Sequence, residues 1–307
     1  MRILITGGAG FIGSHLAELF QRRAAVRVLD DLRTGYQRNL AGLEVEFVRG
    51  SILDREILPV VMKGVDYVFH LAAMVSVAES VSQPQACVEL NAIGTLNVLE
   101  AAAAAGVRKL CFSSSAAVYG DNPVVPKRED MSPEPRSPYA VTKLDGEFYC
   151  RQFTEAGRLE TVALRFFNVF GPRQDPAGPY GAAVPIFFQR ALAGEPLTIH
   201  GDGGQTRDFI FVKDIAAALD FAAHTPGLTG VFNAGYGGQI TVLELAQRIL
   251  AITGSRSPIR FEPARAGDVR HSRAGVERLH QAGFRPTGSL DAGLQHMLSA
   301  LRSVSNS

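Results

Sequence analysis

The 307-residue chain reads as an α/β protein, a doubly wound parallel sheet with a smaller C-terminal α/β lobe. Three observations predict this. Short apolar runs alternate with stretches of helical period through the first half. A glycine cluster, Thr6-Gly7-Gly8-Ala9-Gly10-Phe11-Ile12-Gly13, sits where the first apolar run gives way to the first helical stretch. After Asn168 the alternation breaks into a long loop and shorter elements.

The elements follow in order. Arg2 to Ile5 is a buried strand, and Ser14 to Arg23 a helix with Leu16, Leu19 and Phe20 at helical spacing. Val26 to Asp30 and Val45 to Val48 are strands; Asp54 to Met62 is a helix with Asp54 as N-cap. A strand over Val65 to His70 precedes a long helix, Pro84 to Ala105, with Pro at its start and Gly106 at its end. Lys109 to Ser113 is a strand, Ser137 to Ala156 a second long helix with Pro138 near its first position, and Thr161 to Phe167 a strand. Gly171 to Gly181, rich in proline and glycine, is a long loop of the kind that usually carries function. Beyond it come a helix near Pro185 to Leu192, strands near Leu197 to Ile199 and Phe209 to Phe211, and a helix from Asp214 to His224. A strand over Val231 to Ala234 and a helix from Thr241 to Thr253 follow, the latter opened by a Thr241/Glu244 capping box. The tail after Val304 is expected to fray.

Composition narrows the class. The chain is 46% hydrophobic and 20% charged with a net charge of +1, an ordinary globular profile without the basic field of a nucleic-acid or anionic-membrane binder. It contains no apolar run of roughly 18 residues. The first strand starts at Arg2, which leaves no room for a signal peptide and points to the cytoplasm. Cys87, Cys111 and Cys150 stand apart in apolar or helical segments, as reduced buried thiols do, and no Cys/His grouping has metal-ligand spacing.

The glycine cluster fits a dinucleotide fingerprint in two registers, Gly8-x-Gly10-x-x-Gly13 and Gly7-x-x-Gly10-x-x-Gly13. Glycines let the backbone approach a pyrophosphate, and the helix N-terminus offers N–H donors to it. Asp30, at the end of the second strand, stands where an acid binds the adenosine ribose hydroxyls, which favours NAD over NADP. Arg33 nearby pulls the other way, since an arginine there could accept a 2′-phosphate. Ser113, Ser114 and Ser115 close a strand, and the helix that follows carries Tyr139 and Lys143 four apart on one face. A phenol is a poor base near neutral pH; a neighbouring ammonium favours its phenolate. The group is suited to moving a proton on or off an alcohol while a hydride moves to or from a cofactor.

With these residues in place the chain resembles the extended short-chain dehydrogenase/reductases of the nucleotide-sugar epimerase/dehydratase family. The matching pieces cover nearly the whole length: Thr6 to Gly13, Asp30, His70 to Ala73, Asn91, Ser113 to Ser115 with Val118-Tyr119-Gly120, Ser137 to Lys143, Arg165 to Asn168, Arg207-Asp208, and Arg265 to Asp268. The resemblance implies a Rossmann-type NAD-binding domain formed by residues 1–168 and 205–235, and a discontinuous substrate lobe from 169–204 and 236–307. Ser115, Tyr139 and Lys143 are then catalytic. Gly7, Gly10, Phe11, Ile12, Gly13, Asp30, Asp31, Ser51, Ile52, Leu71, Ala72, Ala73 and Asn91, with Tyr139 and Lys143, hold NAD. Ser76, Ser115, Tyr139, Asn168, Arg207, Arg265, Asp268 and Ser272 hold a UDP-sugar, arginine being suited to a diphosphate through its bidentate fork. At Ser51 the family usually has Asp, so the adenine contact differs here.

Within the family, 4,6-dehydratases carry Thr-Asp-Glu where this chain has Ser115, Ala116 and Ala117, and the UDP-glucuronate decarboxylases have Glu at the Ala117 position. Without those acids, elimination has no proton donor or base at the usual place. The resemblance therefore implies 4-epimerisation of a UDP-hexose through a 4-keto sugar, serving polysaccharide synthesis. Another sugar oxidoreductase of the family, a UDP-glucuronate 4-epimerase or a 4-reductase, is the alternative; a non-catalytic NAD-binding regulator is a distant one. Related epimerases gate substrate size at the position of Ser272, where a small residue admits a 2-N-acetyl group and Tyr excludes it. The resemblance also implies a homodimer in which the helices Pro84–Ala105 and Ser137–Ala156 of two subunits form a four-helix bundle.

Overall fold

The computed structural model describes residues 1–176, 182–264 and 269–305. The strands are β1 (Arg2–Thr6), β2 (Ala25–Asp30), β3 (Val45–Arg49), β4 (Tyr67–His70), β5 (Lys109–Ser115), β6 (Glu160–Phe166), β7 (Asn168–Phe170), β8 (Leu197–His200), β9 (Thr206–Arg207), β10 (Phe209–Phe211), β11 (Gly230–Ala234), β12 (Ile240–Thr241) and β13 (Ile259–Glu262). The helices are α1 (Phe11–Phe20), α2 (Ile57–Met62), α3 (Val77–Ser82), α4 (Pro84–Val88), α5 (Gly94–Ala104), α6 (Pro138–Glu155), α7 (Ala183–Ala193), α8 (Val212–His224), α9 (Val242–Thr253), α10 (Glu277–Gln281) and α11 (Leu290–Ser305).

Seven strands form one parallel sheet in the order β11-β6-β5-β4-β1-β2-β3. The order reverses beside β1, which opens a crevice at the carboxyl ends of β1 and β4. Alternation along β1 fixes the two faces. Ile3 and Ile5 pack with Leu16 and Phe20 of α1 and Ile215 and Leu219 of α8. Leu4 packs the other way, with Val98 of α5, Leu110 of β5 and Phe153 of α6. Each of these buried side chains contributes roughly 1.5–3 kcal/mol. A third core joins Phe187 and Phe188 of α7, Leu245 and Ile249 of α9, and Leu294 and Met297 of α11 to Phe209 and Phe211 of β10.

The predicted sheet is present, with differences at the element ends. α1 begins at Phe11 rather than Ser14, because Gly10 already serves as its extended N-cap. α2 begins at Ile57; Asp54 accepts the N–H groups of Glu56 and Ile57 from a turn ahead of it. The stretch expected as one helix from Pro84 is interrupted by a π turn, Glu89–Ile93. Its cause is Asn91, whose amide accepts from Met74 N at 2.7 Å and donates to Met74 O at 3.0 Å, while Thr95 takes its carbonyl. The Ser137 cap, Pro138 at the start of α6, and the Thr241/Glu244 capping box are present as expected. The second part of the Gly171–Gly181 loop, from 177 on, and the end of the tail at 306–307 lie outside the described residues.

Candidate active site

A cleft of about 1120 Å³ opens at the carboxyl ends of the strands. Its floor is the turn from β1 into α1. Gly7 has φ +72°, and a Cβ on Gly13 would stand 2.3 Å from the Gly7 carbonyl oxygen, so only glycine lets the helix sit this close to the strand end. No side chain caps α1. Its first N–H groups therefore stay outside the intrahelical ladder and available to an anion. Phe11, Ile12, Leu71, Ala72 and Ala73 form apolar wall around that turn, and Ser51 and Ile52 line the side beyond β2 and β3.

Asp30 lies at the end of β2 with its carboxylate held by backbone: Oδ2 accepts from Ala9 N at 2.9 Å and Oδ1 from Leu32 N at 2.8 Å. Burial pushes its pKa up, against the pull of those two bonds. Asp31 is beside it on the wall. Behind the floor, Thr95 gives its hydroxyl proton to Asn91 O at 2.5 Å, so His70 Nε2–H donates to Thr95 Oγ1 at 3.0 Å and His70 Nδ1 accepts from Thr6 Oγ1 at 2.7 Å. This chain ties β1 to β4 through a neutral ring, since burial lowers the His70 pKa to about 3.

The proton-handling group lies opposite. α6 approaches β5 closely at Gly146, where a Cβ would stand 2.3 Å from the Phe112 ring. That approach brings Lys143 over the strand end: its Nζ donates to Ser113 O at 2.7 Å and lies 5.8 Å from the Tyr139 ring centre. Burial pushes the Lys143 ammonium down to about 8. Ser115 Oγ accepts from Ala117 N at 3.1 Å, which leaves its own hydroxyl proton to donate. Below them a buried ion pair fixes the strand to the helix. Arg165 grips Glu147 through Nε at 2.8 Å and Nη2 at 2.7 Å, and Ser114 Oγ donates to the same carboxylate at 2.5 Å.

Most sequence-predicted residues converge on this one cleft: Gly7, Gly10, Phe11, Ile12, Gly13, Asp30, Asp31, Ser51, Ile52, Leu71, Ala72, Ala73, Ser115, Tyr139, Lys143, Asn168, Arg207 and Ser272 all line it. Two of the expected residues, Asn91 and Ser76, are not among those lining the cleft. Asn91 is not on the wall; its amide is spent on Met74 and Thr142. Ser76 is 2% exposed and caps α3 by accepting from Glu79 N at 3.1 Å. Arg265 and Asp268 lie outside the described residues. The sequence reading missed Arg190 of α7, a cleft-wall cation whose Nη1 donates to Pro196 O at 3.0 Å and Thr198 Oγ1 at 2.9 Å. It also missed Lys127, a wall residue reached through a segment without periodic signal.

A glycine-floored cleft at the switch point of a doubly wound sheet, with Ser, Tyr and Lys on its far side, defines a dinucleotide-dependent short-chain dehydrogenase/reductase. The chain belongs to the NAD dependent epimerase/dehydratase family, which residues 3–235 match. It is 38% identical to the UDP-glucose 4-epimerase of Mycolicibacterium smegmatis, over 99% of this chain and 100% of that one. Among solved structures it is similar to the UDP-glucose 4-epimerase of Thermotoga maritima with UDP-glucose, at TM-score 0.95 and 39% identity, covering 99% and 100% of the two chains. It is also similar to the UDP-N-acetylglucosamine 4-epimerase of Methanobrevibacter ruminantium in complex with UDP-N-acetylmuramic acid, at TM-score 0.95 and 37% identity, covering 99% and 98%. The floor fits NAD: glycines leave the space a Cβ would fill, uncapped N–H groups are available to a pyrophosphate, and Asp30 puts a carboxylate on the cleft wall at the end of β2, suited to ribose hydroxyls.

Proposed function

We propose that this protein is an NAD-dependent 4-epimerase of UDP-hexoses, an isomerase. One observation carries the choice among family reactions. Ser115, Tyr139 and Lys143 meet in the cleft beside Ala116 and Ala117, two side chains that can neither give nor take a proton where an elimination would need acids. Bound NAD supplies the place where the C4 hydride is held and from which it returns. Tyr139 Oη takes the proton of the sugar 4-hydroxyl and later gives it back. The Lys143 ammonium favours the phenolate, and Ser115 donates a hydrogen bond to the same sugar oxygen. Asn168, Arg207 and the wall near Arg190 serve the nucleoside diphosphate, as Arg265 and Asp268 do by resemblance. The substrate lobe is formed from 169–204 and 236–307, and the product feeds polysaccharide synthesis.

Ser272 supports a site open to N-acetylated sugars. Its backbone N–H is fixed to Thr206 O at 3.1 Å, so the small side chain is held on the cleft wall. The likeness to both a UDP-glucose and a UDP-N-acetylglucosamine epimerase agrees with such a pocket. The test is to incubate purified protein separately with UDP-GlcNAc and UDP-glucose and resolve the products by chromatography. Interconversion with the C4 epimer, without net change in NADH, is expected for both. Net oxidation of NADH would mark a reductase, and turnover of UDP-glucose alone would close the gate.

The protein acts as a homodimer. Val81, Val88 and Ile93 on the α3–α5 side and Val141 and Phe148 of α6 are apolar side chains left 42–61% exposed in the single chain. A second copy covering them would bury both helix stretches, as the four-helix bundle of the resemblance requires.

A further inference from the structure

The residue that argued for NADP in the sequence, Arg33, does not stand alone at the adenosine end of the cleft. Its Nη2 is 2.5 Å from Oε1 of Glu79, a residue 46 positions away in the first turn of α3. Both line the cleft, and both side chains are only partly exposed, at 36% and 24%. Each is positioned by its own backbone. Arg33 N donates to Asp31 Oδ1 at 3.0 Å, and Glu79 N donates to Ser76 Oγ at 3.1 Å. The segment after β2 offers Asp30, Asp31, Arg33, Thr34 and Gly35 to the cleft, so Arg33 is the cation of that segment.

A 2′-phosphate would bring nearly two negative charges beside Asp30 and needs a guanidinium to meet them. Arg33 is three residues beyond Asp30 and of the right chemistry, but its guanidinium is already neutralised by a carboxylate. We propose that Glu79 is a specificity-determining residue for the cofactor: it occupies Arg33 and so bars the 2′-phosphate of NADP. Asp30 and Glu79 then act on the same ligand group from two sides. Asp30 repels the phosphate, and Glu79 withholds the cation of the cleft-lining segment after β2 that would offset that repulsion. The inference rests on the NAD reading of the cleft.

Glu79→Gln tests it with little disturbance, because the Ser76 cap uses the Glu79 backbone N–H and not its side chain. Asp30→Ala is the poorer probe, since it also strips the acceptor from Ala9 N and Leu32 N. Purified protein is equilibrated with an equimolar excess of NAD and NADP and desalted, and the nucleotide released by acid is quantified. The NADP-to-NAD ratio is expected to rise about tenfold in Glu79→Gln, the factor that one charge-assisted hydrogen bond is worth. Glu79→Ala should move it in the same direction. In Arg33→Ala/Glu79→Gln the ratio should return to within about threefold of the parent, since the gain depends on the freed guanidinium. An unchanged ratio in both Glu79 variants, with NAD still retained, overturns the proposal alone. A gain that survives in the double variant overturns it too, because Glu79 would then repel the phosphate directly. Retention of neither nucleotide by the parent protein overturns this proposal together with the cofactor reading.

Discussion

At the head of α6, Tyr139 and Lys143 divide the proposed proton chemistry between them. In the proposed reaction the phenol exchanges a proton with the sugar, so Tyr139→Phe should lower turnover by at least about 100-fold, the lower bound of general acid–base contributions. Released nucleotide should stay at one NAD per chain, and circular dichroism should be unchanged; a near-normal rate would remove Tyr139 from the mechanism. Lys143 must be charged to favour the phenolate. Burial has brought its pKa to about 8, so kcat should fall as pH rises through that value and the ammonium loses its proton. In Lys143→Met the rate should be low throughout and that alkaline decline absent. For Ser272 the proposed role is in substrate choice instead. Ser272→Tyr places a phenol on the wall where a 2-N-acetyl group would lie, so UDP-GlcNAc turnover should fall about tenfold or more while UDP-glucose turnover persists. Parallel assays of the two sugars read this directly; equal losses on both would make Ser272 a general packing residue.

At the scale of elements, α1 is tied both to the cofactor floor and to the loop after β7. His15 Nε2 donates to Pro172 O at 2.9 Å, and Arg173 Nη2 pairs with Glu18 at 2.6 Å. Burial lowers the His15 pKa to about 4, against 6.5 for the free side chain. Between those values the unfolded chain binds the proton and the folded one does not, so stability from this group rises with pH and is lost on acidification. Gln at this position can keep the bond to Pro172 O without titrating. Urea unfolding at pH 7 and pH 5 should therefore show the parent losing about 1–2 kcal/mol more than His15→Gln over that interval. Identical pH dependence in the two proteins would place the titration elsewhere. The elements of this half were legible because each carries a local signature: β1 and β2 are apolar runs, Ser137-Pro138 is a cap followed by a helix start, and the glycines need a strand before and a helix after. What was not legible depends on partners far away in sequence. The π turn is made by Asn91 reaching back to Met74, and Ser76 Oγ also serves as the cap of α3. The Glu79 partner of Arg33 was hidden for the same reason. α11 is a different case: Leu290, Leu294, Met297 and Leu301 keep helical spacing, a signal present in the sequence and not read.

For the whole molecule, the decisive surface is the one formed by α3–α5 and α6. The elements already pack on each other inside one chain, since Asn91 Nδ2 donates to Thr142 Oγ1 at 3.1 Å and holds the π turn against α6. Their outward sides carry Val88 and Ile93 on one stretch and Val141 and Phe148 on the other, all more than two-fifths exposed, with a shallow groove along Pro84, Gln85, Val88, Glu89 and Ile93. In the proposed dimer such a stripe on two adjacent helical stretches would pair about a two-fold axis, each copy setting a ridge into the other copy's groove. At micromolar concentration light scattering should give twice the 33.0 kDa chain mass. Val88→Asp and Phe148→Glu each bring a charge into the centre of such an interface, where an unpaired buried charge costs several kcal/mol. Both should shift the mass toward the single chain, and Val124→Asp, an exposed apolar side chain outside these helices, should not. The catalytic group lies on the inner side of α6, so a monomeric variant that keeps its NAD should also keep Lys143 against Ser113. A single-chain mass for the parent protein would leave the stripe without a second copy and the dimer reading would fall.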